Sequence, residues 1–214
     1  MSDVIIYYAQ NSSYVFEQFL RHFLISIYGV LFASIVAIPL GFFVARRKKL
    51  SRLTISIANV MQTIPSLAML AILMFLIGTG PDTVVFAVFL YAILPILKNT
   101  VAGINSVTPE LVDAATGMGM TKYQLMTKVE LPLAISIIMG GIRNALVLAI
   151  GVTAVGTFIG AGGLGDIITR GITVANGSPI IIAGAIPTAL MAVLADFLLG
   201  IIEHKLTPRT FTKI

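Results

Sequence analysis

The chain has 214 residues, of which 57% are hydrophobic and 11% charged, and its mean hydropathy is +1.01. An average soluble domain carries about 25% charged residues, so this composition excludes an ordinary soluble globule and places the chain, as one domain, in the membrane class. Without cysteine there is no disulfide framework or thiolate metal site, and a net charge of +5 means nucleic acid only if the cations form a patch, which their placement rules out.

The opening MSDVIIYYAQNSSY lacks the basic region of a cleavable signal peptide, so the first apolar segment is expected to remain as a transmembrane helix. Crossing about 30 Å of hydrocarbon takes roughly 20 helical residues. Segments of that length lie at 22–45, 55–78, 84–104, 133–158 and 179–202. The first runs into RRKK at 46–49, with Arg52 just beyond. Pro65 and Ser66 lie midway along the second, where a proline removes an intrahelical hydrogen bond and predicts a kink. Pro39, Pro95 and Pro187 also fall within spans, where prolines are ordinary. The last span is expected to start with Ser178 as N-cap and Pro179 at the first helical position, and to stop at Glu203-His204-Lys205.

The basic residues orient these spans. With the N-terminus outside and the C-terminus inside, the inner segments hold Arg46, Arg47, Lys48, Lys49, Arg52, Lys98, Lys122, Lys128, Lys205, Arg209 and Lys213, whereas the outer ones hold Arg21 and Arg170. The positive-inside rule favours this arrangement, and the excess of cations is an orientation signal. The expected architecture is therefore an all-α integral membrane protein of five spans, N-out and C-in. An odd span count without internal repeat argues against two equal halves in one chain. One such bundle is thin for enclosing a pathway, so a dimer of like or related subunits is expected.

Between spans three and four, residues 105–132 form a polar interruption on the inner side. Thr108-Pro109-Glu110 reads as a helix start, with a hydroxyl N-cap, an early proline and an acid near the positive end of the dipole. Leu111, Ala114, Ala115 and Met118 follow at helical spacing, and Gly117 and Gly119 break the run. Thr121 with Gln124 is a capping box that opens a second short helix, and Pro132 begins the next span. Met118, Met120 and Met126 give this unit an adaptable apolar surface. On these grounds alone it is either a partner-docking element or an amphipathic loop resting on the bilayer.

The spacing is more specific. Asp113-Ala114-Ala115, three residues, Gly119, nine residues and Val129-Glu130-Leu131-Pro132 resembles the E-A-A, x3, G, x9, I-x-L-P loop of ABC importer permeases, with aspartate for glutamate and valine for isoleucine. The stretches MQTIPSLAMLA (61–71), YAILPILKNTVAGI (91–104) and GTFIGAGGLGDII (156–168) are similar to permeases of osmoprotectant importers, those for glycine betaine, carnitine or choline. The resemblance implies a type I (MetI-like) permease of the bacterial cell membrane, with 1–214 a single transmembrane domain. It implies a second permease subunit, a cytoplasmic ABC ATPase dimer that carries ATP and magnesium, and an external substrate-binding protein. Asp113, Ala114, Ala115 and Gly119 would then form the ATPase-docking surface and turn, and Leu131-Pro132 the junction to the fourth span. Closely related permeases for methionine or an alkyl sulfonate share GAGGLG-like turns and form the alternative.

Other motifs carry less. GAGGLG matches G-x-G-x-x-G through Gly160, Gly162 and Gly165, but it follows a transmembrane span instead of a strand. A tight re-entry turn into a short external helix over 166–174 is the expected structure. No G-x-x-x-x-G-K-[ST] occurs, so ATP must bind another polypeptide. Arg143 lies about ten residues into the fourth span, where an ionisable side chain needs a reason to be buried. Asp196 on the fifth span is its expected partner, in a structural or gating role. Asn144, Thr153 and Thr157 either line a path or pack helices together. A quaternary ammonium group is usually held in an aromatic cage, yet the chain has no tryptophan and its 6 tyrosines are scattered, so weak binding along a path is expected. An intramembrane enzyme is disfavoured, because no metal-ligand cluster or carboxylate pair shares a span and neither His22 nor His204 lies deep in one.

Overall fold

The computed structural model describes residues 2–207 and is all-helical over them. Arg209 and Lys213, counted above among the inner cations, lie outside the described residues. In chain order the helices are α1 (Ser2–Ala45), α2 (Lys48–Thr63), α3 (Ser66–Ile77), α4 (Pro81–Asn105), α5 (Pro109–Gly117), α6 (Lys122–Leu125), α7 (Leu131–Val155), α8 (Leu164–Thr173) and α9 (Ser178–Leu206). A π turn, Met126–Glu130, joins α6 to α7, and a 3-10 turn, Gly156–Ile159, extends α7 at its far end.

Four of these helical stretches are long and apolar enough to cross a membrane: Asp3–Ala45, Pro81–Asn105, Lys122–Ile159 and Ser178–Leu206. A fifth exists if α2 and α3 count as one span, but they are bent by 95°. The segment expected at 55–78 is thus broken, more than the single kinked helix read from Pro65. Proline biases its predecessor out of the helical region, and Ile64 and Pro65 both have extended backbones. The Tyr91 hydroxyl on α4 donates to the Ile64 carbonyl at the break, which fixes the bend against the bundle. Helices α1, α4 and α9 run on through Pro39, Pro95 and Pro187 without ending.

The first helix also exceeds its expected bounds. At roughly 1.5 Å per residue its 44 residues reach about 66 Å, more than twice a hydrocarbon layer. It holds a kink at Asn11 (φ −124°, ψ 23°), and the part before that kink is too short and mixed to read as a span. Tertiary contacts hold it: the Tyr8 hydroxyl donates to Ala183 O of α9 at 2.9 Å, and the Tyr14 hydroxyl to Asp166 of α8. Two smaller corrections concern helix starts. Ser178 is already helical with Gly177 as its N-cap, and Thr108 caps α5 through backbone geometry without a side-chain hydrogen bond.

The core is the three-helix contact of α1, α4 and α7, seamed by small residues. In a lipid-solvated bundle, helix association depends on close packing, which small residues allow. A Cβ on Gly29 would lie 2.3 Å from Val88 Cγ1, one on Gly41 2.5 Å from Thr100 Cγ2, and one on Gly141 2.8 Å from Pro95 O. The apolar residues left exposed on α3 and α9, such as Phe75, Leu194 and Phe197, face outward from this core. Gly151, on the same α7, has open space around its Cβ position. Gly29→Ala is therefore expected to destabilise the purified protein by about 1–3 kcal/mol. Gly151→Ala should be neutral or stabilising by up to about 1 kcal/mol, both read as thermal midpoints in detergent.

Candidate functional site

The polar segment after α4 is a helix, a turn and a second helix. Helix α5 ends in a Schellman motif: Met120 N donates to Ala115 O at 3.2 Å and Gly119 N to Thr116 O at 2.9 Å. That closure requires a left-handed residue, and Gly119 supplies it with φ +81°. Gly117, read beside it as a breaker, is the last helical residue, so Gly119 alone makes the turn. The capping box is present in both directions, with Thr121 N to Gln124 Oε1 at 2.8 Å and Gln124 N to Thr121 Oγ1 at 3.3 Å.

What the sequence did not reveal is continuity. The helix opened at Thr121 does not stop before the next span; Lys122–Ile159 is one helical run. Proline 132 has no N–H to give the ladder, and the turn before it widens, with Leu131 N donating to Met126 O in a five-residue step. The second helix of the loop is therefore the end of α7. Any displacement of it displaces a core helix.

The loop surface is open. Asp113, Ala114 and Gly119 are exposed, as are Leu111, Met118 and Tyr123, with Met118 at 73% and Tyr123 at 71%. Ala115 is buried, and Leu131 and Pro132 are half-buried where the helix enters the bundle. The structure thus brings Asp113, Ala114 and Gly119 together on one projecting surface, with Ala115 beneath it and Leu131-Pro132 at its root. Glu130, just before that root, is buried and accepts from Arg46 Nε at 2.9 Å. In sequence Arg46 is one of a row of cations, and only the fold places it beside Glu130.

Farther along α7, Arg143 meets its expected partner. Its Nε donates to Asp196 Oδ1 at 2.8 Å and its Nη2 to Asp196 Oδ2 at 2.9 Å, a bidentate pair. A second carboxylate completes the cluster, since Arg143 Nη1 donates to Glu203 Oε2 and Ser136 Oγ to Glu203 Oε1, each at 2.8 Å. Glu203 lies seven residues, two helical turns, beyond Asp196, and Ser136 seven before Arg143, so both helices present facing stripes. That spacing was the available signal. Gly200 lets α9 approach, with its Cβ position 3.5 Å from the guanidinium carbon. The cluster locks α7 to α9 and borders an open groove with His204 and Lys205.

The remaining path candidates are dispersed. Asn144 is exposed beside Arg143, and Pro65 and Ser66 sit at the α2–α3 bend. Thr153 is fully buried, and its hydroxyl hydrogen-bonds Ser26 on α1 at 2.9 Å, a helix-packing contact. At that end of the bundle, the turn after α7 takes positive φ at Gly160, Gly162 and Gly163. It leads into α8 two residues earlier than expected. Gly165 is needed for contact, not for φ, since its Cβ would lie 2.1 Å from Ala154 O. Buried side chains of α1 grip this turn: Gln18 Oε1 accepts from Gly163 N at 2.7 Å, and His22 Nδ1 from Leu164 N at 3.2 Å. His22 Nε2 meets Ile150 O at 3.0 Å, so the ring carries its proton on Nε2.

The molecule is thus an apolar helical bundle with a capped helix–turn–helix projecting from one end and fused to a core span. The chain belongs to the family described as binding-protein-dependent transport system inner membrane component, which it matches over residues 37–208. It is thus a multi-pass protein of the bacterial cell membrane and a transport component, not an enzyme. It is 60% identical over 208 residues to the carnitine transport permease protein OpuCD of Listeria monocytogenes, covering 97% of this chain and 93% of that one. Identity to the glycine betaine/carnitine/choline transport system permease protein OpuCD of Bacillus subtilis is 57%, covering 94% and 88%. Identity to the choline transport system permease protein OpuBD of Bacillus subtilis is 54%, covering 97% and 92%. The fold superposes on a structure of the inward-facing MetNI methionine ABC transporter with a TM-score of 0.81 at 21% identity, covering 91% and 96%.

The Arg143 cluster predicts an order of severity. Arg143→Gln leaves both Asp196 and Glu203 without their cation, whereas Asp196→Asn leaves Arg143 paired with Glu203. The first should lower the thermal midpoint more than the second. An Arg143→Asp, Asp196→Arg exchange should recover part of the loss, because the relocated cation still lies on the Glu203 stripe. Equal losses in both single variants, with no recovery in the exchange, would separate the residues.

Proposed function

We propose that this chain is the permease subunit of an ATP-driven importer for osmoprotectants of the quaternary ammonium class: glycine betaine, carnitine and choline. Support comes from relatives of 54–60% identity, matched over nearly the whole chain, whose names give those solutes. The methionine transporter shares the architecture at 21% identity and gives no comparable support for methionine or an alkyl sulfonate as the solute. The chain offers no tryptophan for an aromatic cage, consistent with a binding protein that captures the solute and a permease that passes it on.

In this proposal the chain crosses the membrane five times, with the bent α2–α3 pair as its second span, N-out and C-in. The distribution of cations supports the orientation: Arg46, Arg47, Lys48, Lys49, Arg52, Lys122, Lys128 and Lys205 fall at the end carrying the 105–132 loop. The whole of 1–214 acts as one permease domain. Two such subunits, identical or related, enclose the pathway, with a substrate-binding protein outside and an ATPase dimer inside that holds ATP and magnesium. Asp113, Ala114 and Gly119 meet the ATPase with Ala115 buried beneath them as support, and Leu131-Pro132 pass its motion into α7. Arg143 with Asp196 holds α7 to α9 during this motion, Pro65-Ser66 shapes the pathway at the bend midway along the second span, and Asn144 and Thr153 lie along the moving span. Closure of the ATPases draws the two loops together and tilts the bundles from inward-facing to outward-facing, and their opening reverses it.

The observation that carries the coupling role is the single helical run from Lys122 through α7, which makes the projecting loop a lever on the core. The transporter reconstituted with its ATPase and binding protein should take up labelled carnitine, choline or glycine betaine with ATP, and methionine should not compete. Gly119→Glu should reduce both uptake and solute-stimulated ATP hydrolysis by about tenfold or more. Full activity in that variant would remove the loop from the coupling path.

A further inference from the structure

Glu130 is an acid at a junction. It lies on the π turn between the projecting loop and α7, is 6% exposed, and accepts both Nε and Nη2 of Arg46 on the same carboxylate oxygen. Arg46 follows the last residue of α1, where the chain turns with Arg47 N donating to Val44 O at 2.9 Å. The pair thus joins the end of α1 to the loop end of α7.

The rest of the loop has little hold on the bundle. Within α5 only Ala115 is buried, and α6 has no buried residue. A force on the loop reaches α7 directly through the helix, but it can reach α1 at this end only across side chains. The α1 helix is in turn wedged against α4 at Gly29 and Gly41. Glu130 is buried while Arg46 is half-exposed, so losing the pair leaves the carboxylate, and not the cation, as an uncompensated buried charge. At this junction such a contact works as a strut.

We propose that Arg46 and Glu130 are positioning residues for energy coupling. Their pair makes the end of α1 and the loop end of α7 move as one body, so that a displaced loop drives both helices. Without it the loop drives α7 alone. This rests on the loop being the ATPase contact, and a parent complex lacking ATP-dependent uptake would count against that reading and not against the strut.

The test uses the assembled, reconstituted transporter. Glu130→Gln and Arg46→Gln should still assemble with the ATPase and hydrolyse ATP, while solute taken up per ATP hydrolysed falls about fivefold or more. A merely structural pair would lower assembly and leave that ratio unchanged in the complexes that remain. Because the chain has 0 cysteines, Arg46→Cys with Glu130→Cys can be joined by a short bifunctional thiol reagent. The bridge should raise the ratio toward the parent value, and reductive cleavage should lower it again. Uptake blocked by the bridge would show that the two ends separate during the cycle and would overturn the proposal. If the buried Glu130 variant does not assemble, the half-exposed Arg46→Gln decides alone: a reduced ratio supports the strut, and a parent-level ratio overturns it.

Discussion

A polar group inside an apolar bundle has to find its partner inside that bundle, and this constraint organises the molecule. Lipid offers no hydrogen bonds, so each charge placed within a span dictates which helix lies beside it. Arg143 takes two carboxylates from α9 and thereby sets where α9 runs. Glu130 takes Arg46 and sets where α1 ends relative to α7. At the opposite end Gln18 and His22 meet the backbone of the glycine-rich turn. Among the described residues no buried side-chain nitrogen or oxygen lacks a hydrogen-bond partner.

These contacts converge on α7. Small-residue seams place it against α4, charges tie it to α9 and α1, and its near end emerges as the exposed loop. The proposed coupling role needs such a member: one continuous element that presents an exposed surface at one end and packs into the core elsewhere. The π turn before Pro132 belongs to the same design. It accommodates a proline without interrupting the helix, so the loop stays mechanically continuous with the span.

Much of this was legible in sequence because it depends on local chemistry. The Thr121–Gln124 capping box and the Gly119 turn follow from short-range hydrogen bonding and φ, and both are present. Four of the five apolar runs became long helices, with those at 84–104 and 179–202 close to their expected bounds and the other two extended at their N-terminal ends. The Arg143–Asp196 pair was foreseeable, since an intramembrane cation has few possible partners. The misses were long-range. The helical N-terminus is held by α8 and α9, the 95° break is fixed by Tyr91, and Arg46 finds Glu130 across 84 residues. Pro132 misled for a related reason: proline permits a helix to start but does not forbid one to continue when the preceding turn widens.

The proposed coupling depends on the helix–turn–helix between α4 and α7 being the surface on which the ATPase acts. The native chain has 0 cysteines, so single cysteines at exposed Thr116 and Met118, and at Asn176 on the opposite end, can be compared in the assembled transporter. Cysteines at 116 and 118 are expected to cross-link to the ATPase, with an efficiency that changes when ATP is added, and one at 176 is not. Cross-linking from Asn176, or none from the loop in a complex that transports, would contradict it.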